Sequence, residues 1–184
     1  MIRRTIAHLV ATSALLASSA TVLAGPLQEL GKAEGRCRAN EPGPALLVSV
    51  IGLKDRAGDL KLEVYPANDK DFLQDDSILI AAGKTFRRVE VAVSAEGTPV
   101  LCVRVPAPGA YAVSLLHDRD ANHKFNLSSD GVGFAGNHRL SWSKPKAAAS
   151  SVVAGAGLTP LAIRLNYRQG LLTMAPIAQP DARR

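Results

Sequence analysis

The chain has 184 residues with 22 basic and 16 acidic side chains, a formal charge of +6, and is 47% hydrophobic but only 4% aromatic. That length fits one domain with an ordinary core, so folding requires neither many disulfides nor a metal. The basic residues are scattered among acids and lack interleaved aromatics, which argues against the clustered, stacking surface of a nucleic-acid reader.

Arg3 and Arg4 open the chain as a positive n-region, Ile6 to Leu16 is a short apolar run, and small residues follow up to Ala24. This segment is too short and too rich in Ser, Thr and Ala to span a bilayer comfortably, so residues 1–24 read as a secretory signal peptide cut before Gly25. An uncleaved N-terminal anchor is the competing reading. With no cysteine near the cut, lipoprotein anchoring is not expected, and cleavage leaves no membrane span. Losing Arg3 and Arg4 lowers the formal charge from +6 to +4. The expected location is periplasmic or secreted.

Residues 25–44, rich in Gly, Pro and charge with a weak helical stretch at Leu27 to Lys32, read as an N-terminal leader segment that Cys37 would tether. In an oxidising compartment Cys37 and Cys102 most simply pair. The long loop so closed stabilises by about 4 kcal/mol on the chain-entropy model. Two separate buried thiols are the alternative. The register suits a bridge: Leu101, Val103 and Val105 share one face, leaving Cys102 and Arg104 on the other, where an N-terminal strap can lie.

From Ala45 the pattern is period two. Leu46, Val48 and Val50 alternate with polar or small neighbours, and after the turn Lys54 to Gly58, Leu60, Leu62 and Val64 do the same. Two such runs joined by a short Gly-containing turn predict a hairpin. Pro66 to Asp76 is an acidic loop with Phe72 as its apolar plug, and Ile78 to Ala81 reads as a short edge strand. Further strands are expected at Phe86 to Val93, at Val100 to Val105, from Tyr111 to His117, loosely at Val152-Val153, and from Leu161 to Tyr167. Turn signals recur every 8–12 residues or so, which predicts an all-β fold: a single antiparallel β-sandwich of about seven to eight strands over residues 45–168. Residues 169–184 form a C-terminal tail, with Leu171 to Met174 able to add a short pairing.

The chemistry concentrates after the Tyr111 strand. Asp118, Asp120, Asn122, the Lys124 carbonyl and Asn126 fall at ligand positions one, three, five, seven and nine of a calcium loop. The closing Glu is absent and Asp130 comes one place late, so only weak calcium binding is expected. His123 stands where a Gly normally takes positive φ. The competing reading is an Asx-rich turn whose side chains cap its own backbone N–H groups. His117, His123 and His138 match no zinc spacing. Gly131-Val-Gly133-Phe134-Ala-Gly136 satisfies a dinucleotide-binding pattern, but no helix or βαβ unit follows. Gly131 and Gly133 read instead as kinks that close the loop over Phe134, and His117 as the strand end whose ring hydrogen-bonds to the loop.

On Pro-Ala-Pro-Gly-Ala-Tyr-Ala-Val and His-Asp-x-Asp-x-Asn-x-Lys-Phe-Asn, the chain resembles the bacterial domain-of-unknown-function family 2141. The matching residues are Gly109, Tyr111, Ala112, His117, Asp118, Asn122, Lys124, Gly131, Gly133, Phe134 and Asn137. The resemblance runs over about Ala45 to Tyr167 and is specific over Pro106 to Asn137. It implies a small exported β-sandwich of the prealbumin or carboxypeptidase-regulatory kind and brings no established activity. Asp120 replaces an Asn of the family, His123 a Gly and Asn126 an Asp, and about four residues are missing before Asp130.

Two function classes remain. One is a non-catalytic module that binds an extracytoplasmic ligand, glycan or protein through the loops at the Asp118 end. The other is a metal-dependent hydrolase using His117 and Asp118, for which the sequence supplies neither an activated nucleophile nor a clear open metal site.

Overall fold

Alternating side chains build the strands, and they do so about a core shared by two sheets. In β1 (Ala45–Ile51) Leu46, Val48 and Val50 are buried, and in β2 (Asp59–Pro66) Leu60, Leu62 and Val64 are. The other strands are β3 (Arg87–Ala92), β4 (Val100–Arg104), β5 (Gly109–Asp118), β6 (Gly131–Phe134), β7 (Ser151–Ala154), β8 (Leu158–Arg164), β9 (Asn166–Gln169) and β10 (Thr173–Ala175). The computed structural model describes residues 30–141, 143–171 and 173–177. The expected signal peptide, with its cut before Gly25, lies outside the described residues, as does the end of the C-terminal tail. Among the described residues, no helix is long and apolar enough to cross a membrane.

The smaller sheet has the order β4-β1-β8, and the larger runs β10-β9-β6-β5-β2-β3 with β7 also paired to β5. One cluster draws Leu46, Val48, Leu101, Val103 and Ile163 from the smaller sheet and Leu60, Leu62, Val113, Leu115 and Tyr167 from the larger. Two expectations change here. β1 and β2 do not form a hairpin but lie in different sheets. Period two identifies a strand without naming its partner, and the connection between them, with Gly52 and Gly58 at positive φ, carries the chain across the core. Nor are the sheets purely antiparallel: β8 runs parallel to β1, from Ala45 opposite Leu158 to Ile51 opposite Arg164.

The single last strand is also two. Ile163, Leu165 and Tyr167 stay buried while the chain passes from β8 in the smaller sheet to β9 in the larger. The apolar face is continuous; the pairing changes at Leu165. β10 then pairs with β9.

The expected edge strand at Ile78 to Ala81 is instead the helix α2 (Asp76–Ala81), because the Asp75 carboxylate caps it by accepting the Ser77 N–H at 2.9 Å. Its Leu79 joins a second core with Tyr65, Phe72, Phe86, Ala112, Phe134 and Ala147. These side chains lie on the outer face of the larger sheet, and α2 and the 66–76 loop cover them.

At the β3 edge of the larger sheet the short helix α1 (Lys32–Gly35), whose Lys32 pairs with Glu90, leads into Arg36, which bridges Val103 of β4. Of the Leu27 to Lys32 stretch, residues 27–29 lie outside the described residues, and α1 begins at Lys32. Cys37 and Cys102 are disulfide-bonded, with Cα atoms 5.9 Å apart. Leu101 and Val103 are buried while Cys102 and Arg104 are half-exposed, as alternation expected, but the strap pairs along the edge of β4, at Arg36 and Val103, and does not lie over that face.

Candidate functional site

Strand register composes the outer face of the larger sheet row by row. Glu90 of β3, Lys61 of β2, Leu116 of β5 and Val132 of β6 stand side by side, and the next row is Arg88, Glu63, Ser114 and Phe134. The face is therefore charged at the β3 edge and apolar over β5 and β6. The loop between β5 and β6 crosses it in the same sense. His123 meets Glu90 at 2.7 Å, and the His123 carbonyl accepts from Lys61 Nζ at 3.0 Å. Phe125 and Leu127 reach the apolar half, where with Leu116, Val132, Leu140 and Pro145 they line a groove of about 420 Å³. Lys61 also borders a smaller, charged hollow of about 210 Å³ with Arg88, His123 and Lys124.

The loop is anchored by its acids. Asp118, Asp120 and Asp130 each bring one carboxylate oxygen within 4.8 Å of the others. A single hard cation with oxygen ligands at about 2.3–2.6 Å spans such a gap. Asp118 is buried and accepts the N–H groups of Asn122 (3.2 Å) and His123 (2.6 Å). Asp130, also buried, accepts those of Arg119 (3.1 Å) and Asn126 (2.7 Å). Asp130 Oδ1 also accepts the Ser129 hydroxyl (2.9 Å), which fills it, but Asp130 Oδ2 and both Asp118 oxygens each accept one bond and keep an acceptor site that a calcium-type cation can use.

The other expected ligands turn to the backbone. Asn122 donates its side-chain amide to Asp120 (2.9 Å), and its Oδ1 accepts the Lys124 N–H (2.8 Å). The Asn126 side chain caps Ser128. Ala121 and His123 take positive φ, 53° and 63°, which lets the turn close.

Directly beneath, on the inner face, His117, Gly131 and Tyr167 form a row across β5, β6 and β9. Gly131 is extended within β6 rather than a kink, and its missing side chain is what the row requires: a Cβ there would collide with the Tyr167 ring. Gly133 likewise lies in β6, against the Arg164 backbone, and Phe134 belongs to the second core. Tyr167 reaches over Gly131 to His117 Nδ1 at 2.7 Å, and His117 Nε2 lies 2.8 Å from the Ala57 carbonyl. A carbonyl only accepts, so Nε2 carries the proton and Nδ1 accepts from the Tyr167 hydroxyl. The Tyr167 oxygen in turn accepts the Lys54 N–H at 3.1 Å.

Burial pushes the His117 pKa down and that of Tyr167 up to about 12. Beside this row, Arg119 forks onto Asp55 (2.9 and 2.5 Å) and holds its carboxyl below the usual carboxylate range. The histidines are thus dispersed: His117 binds Tyr167 and Ala57, His123 binds Glu90, and His138 stacks on Phe134 and binds the Ala149 carbonyl. Ser141 and Ser143 bind one another at 2.9 Å.

Sequence reasoning found the three acids but not the groove or Tyr167 as the partner of His117. Phe125 and Leu127, alternating within an otherwise polar loop, were the available trace of the groove. The profile of a family described as uncharacterized proteins conserved in bacteria (DUF2141) matches residues 48–160. No curated protein and no solved structure matches the chain.

Proposed function

The chain belongs to the bacterial family DUF2141, and from that premise we propose that it is an exported, non-catalytic binding module built on a two-layer, prealbumin-like β-sandwich. The observation that carries this reading is that one loop does two things. It gathers Asp118, Asp120 and Asp130, and it presents Phe125 and Leu127 to the apolar groove. A concave, largely apolar hollow with few polar groups is the usual form of a ligand site. Export supplies its setting, a periplasmic or secreted ligand or partner.

Calcium binds weakly at the acid cluster in this proposal, with Asp118, Asp120 and Asp130 as carboxylate ligands and Asn122, Asn126 and the Lys124 carbonyl as neutral oxygens beside them. The cation supplies charge neutralisation, relieving repulsion among three close carboxylates and fixing the loop that shapes the groove. Hydrolysis by His117 and Asp118 finds less support, since both His117 ring nitrogens are already engaged and Nε2 lies 3.9 Å from the Asp55 carboxylate rather than beside Asp118.

Thermal melts in calcium, magnesium and chelator test the proposal. With a Kd of about 10⁻⁴–10⁻³ M, as in extracellular calcium modules, calcium at ten times that value should stabilise by about 1.4 kcal/mol. The Asp118→Ala/Asp120→Ala double variant should lose the response. An unmoved wild-type Tm at millimolar calcium means that the loop is a self-capped turn.

A further inference from the structure

The groove and the charged hollow beside it share Lys61, and their charges are unequal. Each acid around the hollow is matched: Glu90 by Lys32 (3.1 Å) and His123 (2.7 Å), and Glu63 and Asp76 by Arg88 (2.7 and 2.9 Å). Lys61 is not so matched; its ammonium donates to the neutral His123 carbonyl and forms no ion pair among the described residues. Lys124, the next loop residue, lines the same hollow and likewise has no ion pair among them. A cation without a carboxylate therefore stands on the boundary that a charged hollow shares with an apolar groove lined by Leu116, Phe125, Leu127, Val132 and Leu140.

Resting on the reading of the groove as a ligand site, we propose that the ligand is a single-chain amphiphile with an anionic head. Its head lies at Lys61 and Lys124, and its tail lies along the groove over β5 and β6. A neutral ligand leaves the Lys61 charge unused, and a cationic one places like charges together. The floor is set by register, Lys61 beside Leu116 beside Val132, so the order of head and tail follows the strand pairing, and the β5–β6 loop adds Lys124 at the head and Phe125 and Leu127 along the tail. The groove volume, about 420 Å³, lies within the range of about 300–1,000 Å³ found for small-ligand sites.

Calorimetric titration at pH 8 with sodium dodecanoate, dodecanol and dodecyltrimethylammonium, each below its self-association limit and each with calcium and with chelator, tests this. Dodecanoate should bind at least about tenfold more tightly than dodecanol, the worth of one charge-assisted contact. Decanoate, two methylenes shorter, should bind about tenfold more weakly than dodecanoate. Lys61→Met should erase the preference for the anion while leaving dodecanol within about twofold. Should the strand not tolerate Lys61→Met, Lys124→Met reads the same preference from an exposed loop position. If all three ligands bind alike and Lys61→Met changes nothing, the anionic-head inference is overturned while the groove remains a ligand site. If none of the three binds under either condition, both readings fall.

Discussion

The inner face of the larger sheet carries Leu60, Leu62, Val64, Val113 and Leu115, all with no exposure, against the side chains of the smaller sheet. The outer face of the same strands carries Lys61, Glu63, Ser114 and Leu116, and among the described residues loops and a six-residue helix cover it only in part. A strand dictates both faces by the same alternation, yet the outcomes differ because the inner face meets another sheet and the outer face meets connections. Burial on the inside holds the fold. Incomplete cover on the outside leaves a hollow beside the charged loop, and the proposed function belongs there.

The largest expected effect joins neither face but the strap that runs beside β4. Replacing both half-cystines, Cys37→Ser with Cys102→Ser, should cost about 4 kcal/mol in urea unfolding by the loop-entropy model. It should leave ligand binding at the outer face intact in the folded fraction. Thiol titration of the wild-type protein in denaturant, prepared without reductant, should find none free. Two titratable thiols would remove the covalent tie from the comparison.

Next comes the inner face at its tightest point. Gly131→Ala forces a Cβ into the Tyr167 ring and should cost about 1–3 kcal/mol, the usual range for overpacking. Gly155→Ala, where the nearest atom to an added Cβ is Thr159 Oγ1 at 3.7 Å, should stay within about 0.5 kcal/mol. Equal costs in equilibrium unfolding would show that the row of His117, Gly131 and Tyr167 is not closely packed.

These two tests also mark what sequence could and could not reveal. The strap and the buried strands were legible because Leu101, Val103, Leu60 and Leu62 advertise their faces by period two, and parity with compartment suggested the bridge. Partners were not legible: nothing local in Ala45–Ile51 says that it runs beside Leu158–Arg164 instead of Asp59–Pro66. The apolar run Ile78-Leu79-Ile80 fits strand or helix, and the Asp75 cap decided it. In the site, the spacing of Asp118 and Asp120 was visible. Asp130 joins them because the chain turns back at Asn126, whose carbonyl accepts the Asp130 N–H at 2.9 Å. The groove was hidden because its lining joins side chains spread over residues 114–145 to Lys61, Glu63, Leu73 and Met174, which lie far from them in sequence.

A smaller effect separates the faces by pH. The outer cover is held by carboxylates: Asp71 by Lys84 and Asn68, Asp69 by the Ala147 N–H, and Asp75 by Ser77. These partners lower all three pKa values, for Asp71 chiefly through the Lys84 hydrogen bond. A carboxyl with a depressed folded pKa stabilises above its unfolded value of about 3.9 and loses that contribution as pH falls through the folded value. Hydrogen exchange should therefore show residues 66–84 opening below about pH 4 before β2 and β5 do. Asp71→Asn should flatten the acid limb of the melting curve. Coincident exchange across both regions would tie the cover to the core as one unit.

The smallest stability effect is expected where the functional effect is proposed. Phe125 is 50% exposed although it is a large apolar residue, and it sits on the loop that the acids organise. Truncating a side chain with no exposure, such as Leu62, costs about 2–5 kcal/mol because a cavity is left behind. Phe125→Ala leaves none, since solvent already reaches the ring, so unfolding should shift by no more than about 0.5 kcal/mol. Dodecanoate binding should nevertheless weaken by about fivefold, because the bound tail would lose the apolar surface that the ring contributes. Both quantities come from one preparation, by urea titration and calorimetry. A loss of more than about 2 kcal/mol in stability would mean that the ring closes over the groove in solution and belongs to the core. In that case the outer face would be packed as the inner one is, and the contrast from which the binding reading starts would disappear.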